Sequence, residues 1–285
     1  MQNSFLMGAA LVIISALFYA LQPLFATGLY QLGWIPLSVL VLRFGCSMIL
    51  MGGYLLLTRR QIRNHFDIRA LLFGFCMAGS ALGYYVAGQR IGFSLAVMLL
   101  FAFPVGVTLF FAFKARRMPS PLKLAALALS VCGTYWVVGG GPVTLDGLGV
   151  AAGLAAACCY GTAMVITDGR QVQDPWVDVF WVSVGAVGIL GAALIVQGVD
   201  FPIGAHSLGL GAGLAFSATI MATGLLIAGI AKIGASDAAT LALFEAFFAA
   251  LFSVIFLGDP ASIGLVGGGL LILLGAGLLT RSARA

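Results

Sequence analysis

One carboxylate stands inside a long apolar run: Glu245, within TLALFEAFFAALFSVIFLGD from Thr240 to Asp259. A charge at the centre of a bilayer costs about 2.5–3.5 kcal/mol on insertion scales, so it must face a cavity or a partner. Two roles fit Glu245. It meets a substrate amine or a coupling proton, or it makes a structural hydrogen bond to neighbouring helix ends or hydroxyls. Arg43 is the basic residue deepest in another apolar run. It could pair with Glu245 or hold a substrate carboxylate. The blander reading, which we favour on sequence alone, has it bonding backbone carbonyls near a helix end or snorkelling to an interface.

Polar stripes add to these two charges. Ser15, Tyr19 and Gln22 follow i, i+4, i+7 spacing and share one helix face. Ser80 with Tyr84, Tyr160 with Met164, and Ser217 with Met221 are each four residues apart. Packing explains any one pair, because hydroxyl residues hydrogen-bond between membrane helices at about 0.6 kcal/mol on average. Together the stripes predict a shared cavity. Met98, Phe101 and Phe244 add the flexible and flat side chains that suit a site tolerant of many apolar shapes. The expected substrate-binding set is therefore Tyr19, Gln22, Ser80, Tyr84, Met98, Phe101, Tyr160, Met164, Ser217, Met221, Phe244 and Glu245. Pro104 and Pro23 each remove a backbone bond within an apolar run and are the expected hinges.

The elements that must position these residues are membrane helices. The chain is 62% hydrophobic and 8% charged, against about 25% charged in soluble domains. A span needs about 20 mostly apolar residues. Ten can be placed: Phe5–Tyr30, Trp34–Leu57, Asp67–Ala87, Ile91–Phe113, Pro121–Val138, Gly147–Thr167, Trp176–Val196, His206–Ala231, Ala238–Leu257 and Ser262–Thr280. Met1 to Phe5 lacks a basic start, so the first run reads as a span and not as a signal peptide. Taking the N-terminal side as reference, that side holds Arg59, Arg60, Arg63, Arg69, Lys114, Arg116, Arg117, Lys123, Arg170, Lys232, Arg281 and Arg284; the other holds Arg90. This bias predicts that both termini are cytoplasmic. Trp34 and Trp136 would mark the outer interface and Trp176 the inner one.

The chain also repeats. A shift of 142 residues lays Trp34 on Trp176, Gly92 on Gly234, Ala96 on Ala238, Pro104 on Ala246 and Gly133 on Gly275. That is half the chain, so a whole unit is duplicated: residues 1–142 and 143–285. Each unit holds five spans, an odd number, so the second enters the membrane from the opposite face. The expected fold is an all-α integral membrane protein of ten transmembrane helices in two inverted five-helix repeats. Such repeats imply alternating access to a site near the midplane.

The run LFEAFFAALFSVIFLGDP followed by IGLVGGGLLILLGAGLL, with the VLRFG segment around Arg43, resembles the EamA-type branch of the drug/metabolite transporter superfamily. There a Glu-Pro pair opens a span that ends in Leu-Gly-Glu, and a glycine-rich span follows. Here the pair is Glu245-Ala246, the first copy has Phe103-Pro104, and Asp259 replaces the closing glutamate. The resemblance covers the whole chain and implies a transporter of the bacterial inner membrane. It is most similar to exporters of amino acids, aromatic or apolar ones among them, and related metabolites; drugs and sugars or nucleotide sugars are the alternatives within the superfamily. The second spans would be peripheral.

Other classes fit less well. The histidines, His65 and His206, lie near opposite interfaces, with no HExxH and no carboxylate pair, so neither an intramembrane enzyme nor a metal site is expected. No GxxxxGK[ST] loop is present, so ATP does not drive the chain by itself. The five cysteines, all in apolar runs, read as packing residues. No cofactor and no nucleic-acid partner is expected. The expected partners are a small-molecule substrate and the lipid bilayer, and the glycine-rich last spans read as a packing surface or as the face of a homodimer.

Overall fold

The computed structural model describes residues 2–59, 66–138, 146–197, 201–257 and 263–282. The repeat boundary at 142/143, Asp259, and Arg60, Arg63, His65 and Arg284 lie outside the described residues.

Fourteen α-helices and two π-helical turns make up the described fold, with no strand among the described residues. They are α1 (Gln2–Ala20), α2 (Gln22–Gln31), α3 (Pro36–Leu57), α4 (Ile68–Ile91), α5 (Phe93–Leu100), α6 (Phe103–Ala115) and α7 (Pro121–Val138) in the first half. The second half has α8 (Gly147–Thr167), α9 (Pro175–Gln197), α10 (Ala205–Leu214), α11 (Ala222–Ile233), α12 (Ala235–Ala242), α13 (Phe244–Phe252) and α14 (Ile263–Ser282). The π turns are Ala215–Met221 and Ser253–Leu257. Several helices are segments of one span: α1 with α2, α5 with α6, α10 with α11, and α12 with α13. Among the described residues nine runs are long and apolar enough to cross a membrane, and Ile263–Leu279 is a shorter tenth. Helices dominate because lipid offers the backbone no partner.

The helix ends follow local chemistry. Asp67 and Asp146 cap α4 and α8 by accepting from the backbone N–H of Arg69 and Leu148. Pro36 sits at the start of α3 and Pro23 near the start of α2, where a missing N–H costs nothing. α4 and α11 end at Gly92 (φ +83°) and Gly234 (φ +82°), the positions that the 142-residue shift superposes. Only glycine takes that backbone conformation without strain. Gln89 and Arg90, expected in a loop, are the last turn of α4; the turn itself is Gly92.

The halves pack as inverted copies. α4 lies along α8 and α1 along α11; α3 meets α9, and α7 meets α14. Exchanging the copies turns the first contact into the second and the last two each into itself. Small residues show it in detail. A Cβ on Gly8 would come within 2.8 Å of Lys232 Cβ, and one on Gly149 within 2.9 Å of Arg90 Cβ. α7 and α14 touch backbone to backbone, with Gly133 against Gly268 and Gly275 against Ala126 and Ser130. Gly267 also stacks on Trp136 and Gly269 on Phe247. These glycines of the last span, read from sequence as a packing or dimer surface, pack within the chain. Trp34, expected at an interface, is buried edge-on against Phe201.

The two membrane faces are tied differently. On the N-terminal face Arg170 pairs with Asp67 at 2.6 Å and Asp178 at 2.5 Å, and Lys123 pairs with Asp237 at 2.5 Å. Thr108 and Ser236 share a hydrogen bond at 3.1 Å, and Asp168 accepts from the Ala235 N–H at 2.7 Å. On the opposite face the half-exposed pair Arg90–Asp146 stands at 3.0 Å.

Candidate functional site

A cavity of about 290 Å³ lies between the halves. It begins beside the breaks in three spans. α1 gives way to α2 at Leu21, whose N–H reaches only the Phe18 carbonyl at 3.3 Å. α5 gives way to α6 at Phe101–Ala102, and α12 to α13 at Leu243. In the last two, i to i−3 bonds replace the α pattern: Ala102 to Leu99 at 3.1 Å and Leu243 to Thr240 at 3.4 Å. Pro104 has no N–H to give, which explains the first of these breaks. Ala246, at the matching place, bonds Leu243 at 3.2 Å.

The break at Leu243 places Glu245 in the first turn of α13. The free N–H groups and positive dipole end of a helix favour a carboxylate there. Glu245 is half-buried on the cavity wall. Among the described residues it makes no hydrogen bond or ion pair, so neither its pairing with Arg43 nor a structural hydrogen bond is seen.

Arg43 lines the same cavity and is 4% exposed, so it does not snorkel. Its Nη1 donates to Gln22 Oε1 at 2.7 Å, its Nε to Thr219 Oγ1 at 2.8 Å, and its Nη2 to the Ala218 carbonyl at 2.6 Å. The Phe44 ring lies 4.9 Å and the Tyr19 ring 5.9 Å from Cζ. The carbonyl bond expected of Arg43 is present, but on a neighbouring span and beside the cavity. The second span is therefore not peripheral at this level.

The structure brings Tyr19, Gln22, Ser80, Tyr84, Phe101, Tyr160 and Glu245 to this one cavity, with Pro23 at its rim. Below, Ser15 donates to the Ala222 carbonyl at 2.7 Å, and the Tyr19 hydroxyl shares a hydrogen bond with Thr223 at 2.8 Å. These bonds floor the cavity towards the N-terminal face. At its other end the cavity reaches Val137 and Val138, the last residues of α7. The empty space thus lies in the half of the membrane away from the N-terminal face.

Five expected residues do not line it. Met98 follows Val97, which does, and is turned about 100° around the helix from it. Met164 is one turn beyond Tyr160, beneath the floor, and fully buried. Ser217 spends its hydroxyl on the Gly213 carbonyl at 2.8 Å. Met221 faces a separate apolar groove with Leu50, Tyr54 and Trp176. Phe244 is buried against Phe248, their ring centroids 5.9 Å apart. Pro104 sits at the break without touching the cavity. Sequence reasoning missed Phe44, Met77, Ala81, Val97, Leu100, Val137 and Val138, whose apolar types carry no sign of which face meets the void.

The EamA-like transporter family matches the chain twice, over residues 6–139 and 147–281. The chain belongs to this family. EamA-like proteins are membrane transporters of the drug/metabolite transporter superfamily, and the two matches are the two repeats. A crystal structure of a protein 18% identical superposes with a TM-score of 0.81 over 99% of each chain, which shows the shared fold. No curated protein matches the chain.

Proposed function

We propose that this EamA-like transporter exports amino acids, apolar and aromatic ones among them, and related small metabolites across the bacterial inner membrane by alternating access. One observation carries the reading: a cavity between inverted halves bears one carboxylate and one guanidinium on walls that, Gln22 and Ser80 apart, are apolar and aromatic. A zwitterion matches that pair. Its amine goes to Glu245, which has no hydrogen-bond or ion-pair partner among the described residues, and its carboxylate to the guanidinium N–H groups of Arg43 that the three bonds above leave over. Met77, Leu100, Phe101 and Tyr84 would take the side chain.

The described state is the one open away from the N-terminal face, because that face is tied across the halves and floored by Ser15 and Tyr19. The excess of basic residues on the N-terminal side supports placing both termini in the cytoplasm. The described state then faces outward. Purified protein in proteoliposomes, offered a panel of amino acids, amines, sugars and nucleotide sugars at two pH values, tests the reading. Saturable counterflow of apolar or aromatic amino acids is the expected result. Counterflow confined to sugars would remove it, and a dependence on the pH gradient would assign proton coupling.

A further inference from the structure

The two copies join through second-span contacts of opposite character. The 142-residue shift carries Arg43 onto Gly185. At Gly185 α9 rests directly on α4: a Cβ there would collide with the Leu71 carbonyl, and one on Gly74 with the Val182 carbonyl. α4 runs through this joint as an unbroken α-helix. At the matching joint α3 meets the eighth span through a guanidinium, and there that span is π-helical, from Ala215 to Met221. Both Ala218 and Thr219, which accept from Arg43, belong to the π turn.

A π turn inserts one residue into the helix ladder and often marks a functional site. Away from water its backbone groups need partners from within the protein. The guanidinium supplies one, and charge-assisted bonds of this kind are about twice as strong as neutral ones. Without it, the span is best satisfied by regular i to i−4 bonding. That change moves everything after the turn by one residue, roughly 100° of rotation at 3.6 residues per turn. Ala222 and Thr223 come next, and they hold Ser15 and Tyr19 to form the cavity floor.

We propose that Arg43 is a positioning residue that keeps the floor closed towards the N-terminal face by clamping the π turn, and that its release opens that side. A carboxylate bound to the two N–H groups left over draws the guanidinium into the cavity and away from the Ala218 carbonyl, so occupancy and opening are coupled. This rests on the reading that the halves alternate their opening.

Hydrogen exchange of the full chain in nanodiscs tests the clamp. Arg43→Gln raises exchange over residues 215–221 at least tenfold and leaves the Gly74 region of α4 unchanged. Arg43→Lys, a single point donor and not a fork, falls between. Thr219→Ala removes one bond, gives a smaller rise, and serves where Arg43→Gln yields no folded protein. In proteoliposomes, labelling of an Ala250→Cys reporter from the face opposite the N terminus, measured above the native cysteines, drops at least threefold with Arg43→Gln. Unchanged exchange over 215–221 in Arg43→Gln and Thr219→Ala overturns the clamp. So does a rise spread evenly over all spans, which would make Arg43 a general brace. A loosened turn with unaltered labelling overturns its link to opening. Absence of amino-acid counterflow by the wild type, with the exchange pattern intact, instead counts against the substrate reading alone.

Discussion

The fourth and ninth spans break at matching points, yet the residues just past the breaks differ in kind. In the fourth, Phe103 is buried and its ring lies 4.3 Å from that of Tyr160. In the ninth, the shift places Glu245 where Phe103 would be. Tyr19 stands in for Tyr160 with an offset of 141. One copy thus closes its break with stacked rings, and the other opens its break onto the cavity with a carboxylate. The duplication supplied two equal scaffolds, and only the second carries a carboxylate just past its break. A fully symmetric pair of carboxylates would have cost another buried charge.

Substituting the charge tests this contrast most severely. Glu245→Gln is expected to lower amino-acid counterflow at least 100-fold while the protein stays folded and monodisperse; transport within threefold of wild type would make the two breaks functionally equal. Next come the turns that the copies share. Gly92 and Gly234 have φ near +83° with ψ of 146° and 158°, a region open essentially to glycine. Gly92→Ala and Gly234→Ala should each destabilise by about 1–3 kcal/mol, read from melting in detergent, and by similar amounts if the joints are equivalent.

Pro104→Ala should matter less. Ala246 already sits at a break without proline, so transport should change less than threefold; a larger loss would make the proline itself the hinge. The smallest effect concerns the faces. Arg90, donating at 3.0 Å, holds the Asp146 carboxyl below the usual carboxylate range. A depressed folded-state value means that the tie is fully present above the unfolded value, about 3.9. It is lost as pH falls through the lower folded value. Exchange at the start of α8 should therefore rise only below pH of about 3.9, and Asp146→Asn should remove that step.

Ten spans and their inversion were legible because a bilayer demands long apolar runs and a five-span unit leaves little choice of orientation. The stripe Tyr19–Gln22 was legible for a similar reason: polar residues on one helix face must meet something other than lipid. Met164 and Ser217 failed for the converse reason. Helical spacing reports a face, not the depth at which a cavity ends. Arg43 stood out as a basic residue deep in a span, but its sequence reading favoured a helix-end or interface role, because no pattern in Ala215–Met221 signals the π turn that accepts from it. The break at Leu243 was equally silent, since its proline is found only in the other copy.

The contact of α7 with α14 constrains how the protein is made. Gly133 finds its counterpart, Gly268, only after the ribosome has threaded the other nine spans into the bilayer. The first unit must wait in lipid with this groove unfilled, so the two copies reach their final shape together and late in translation.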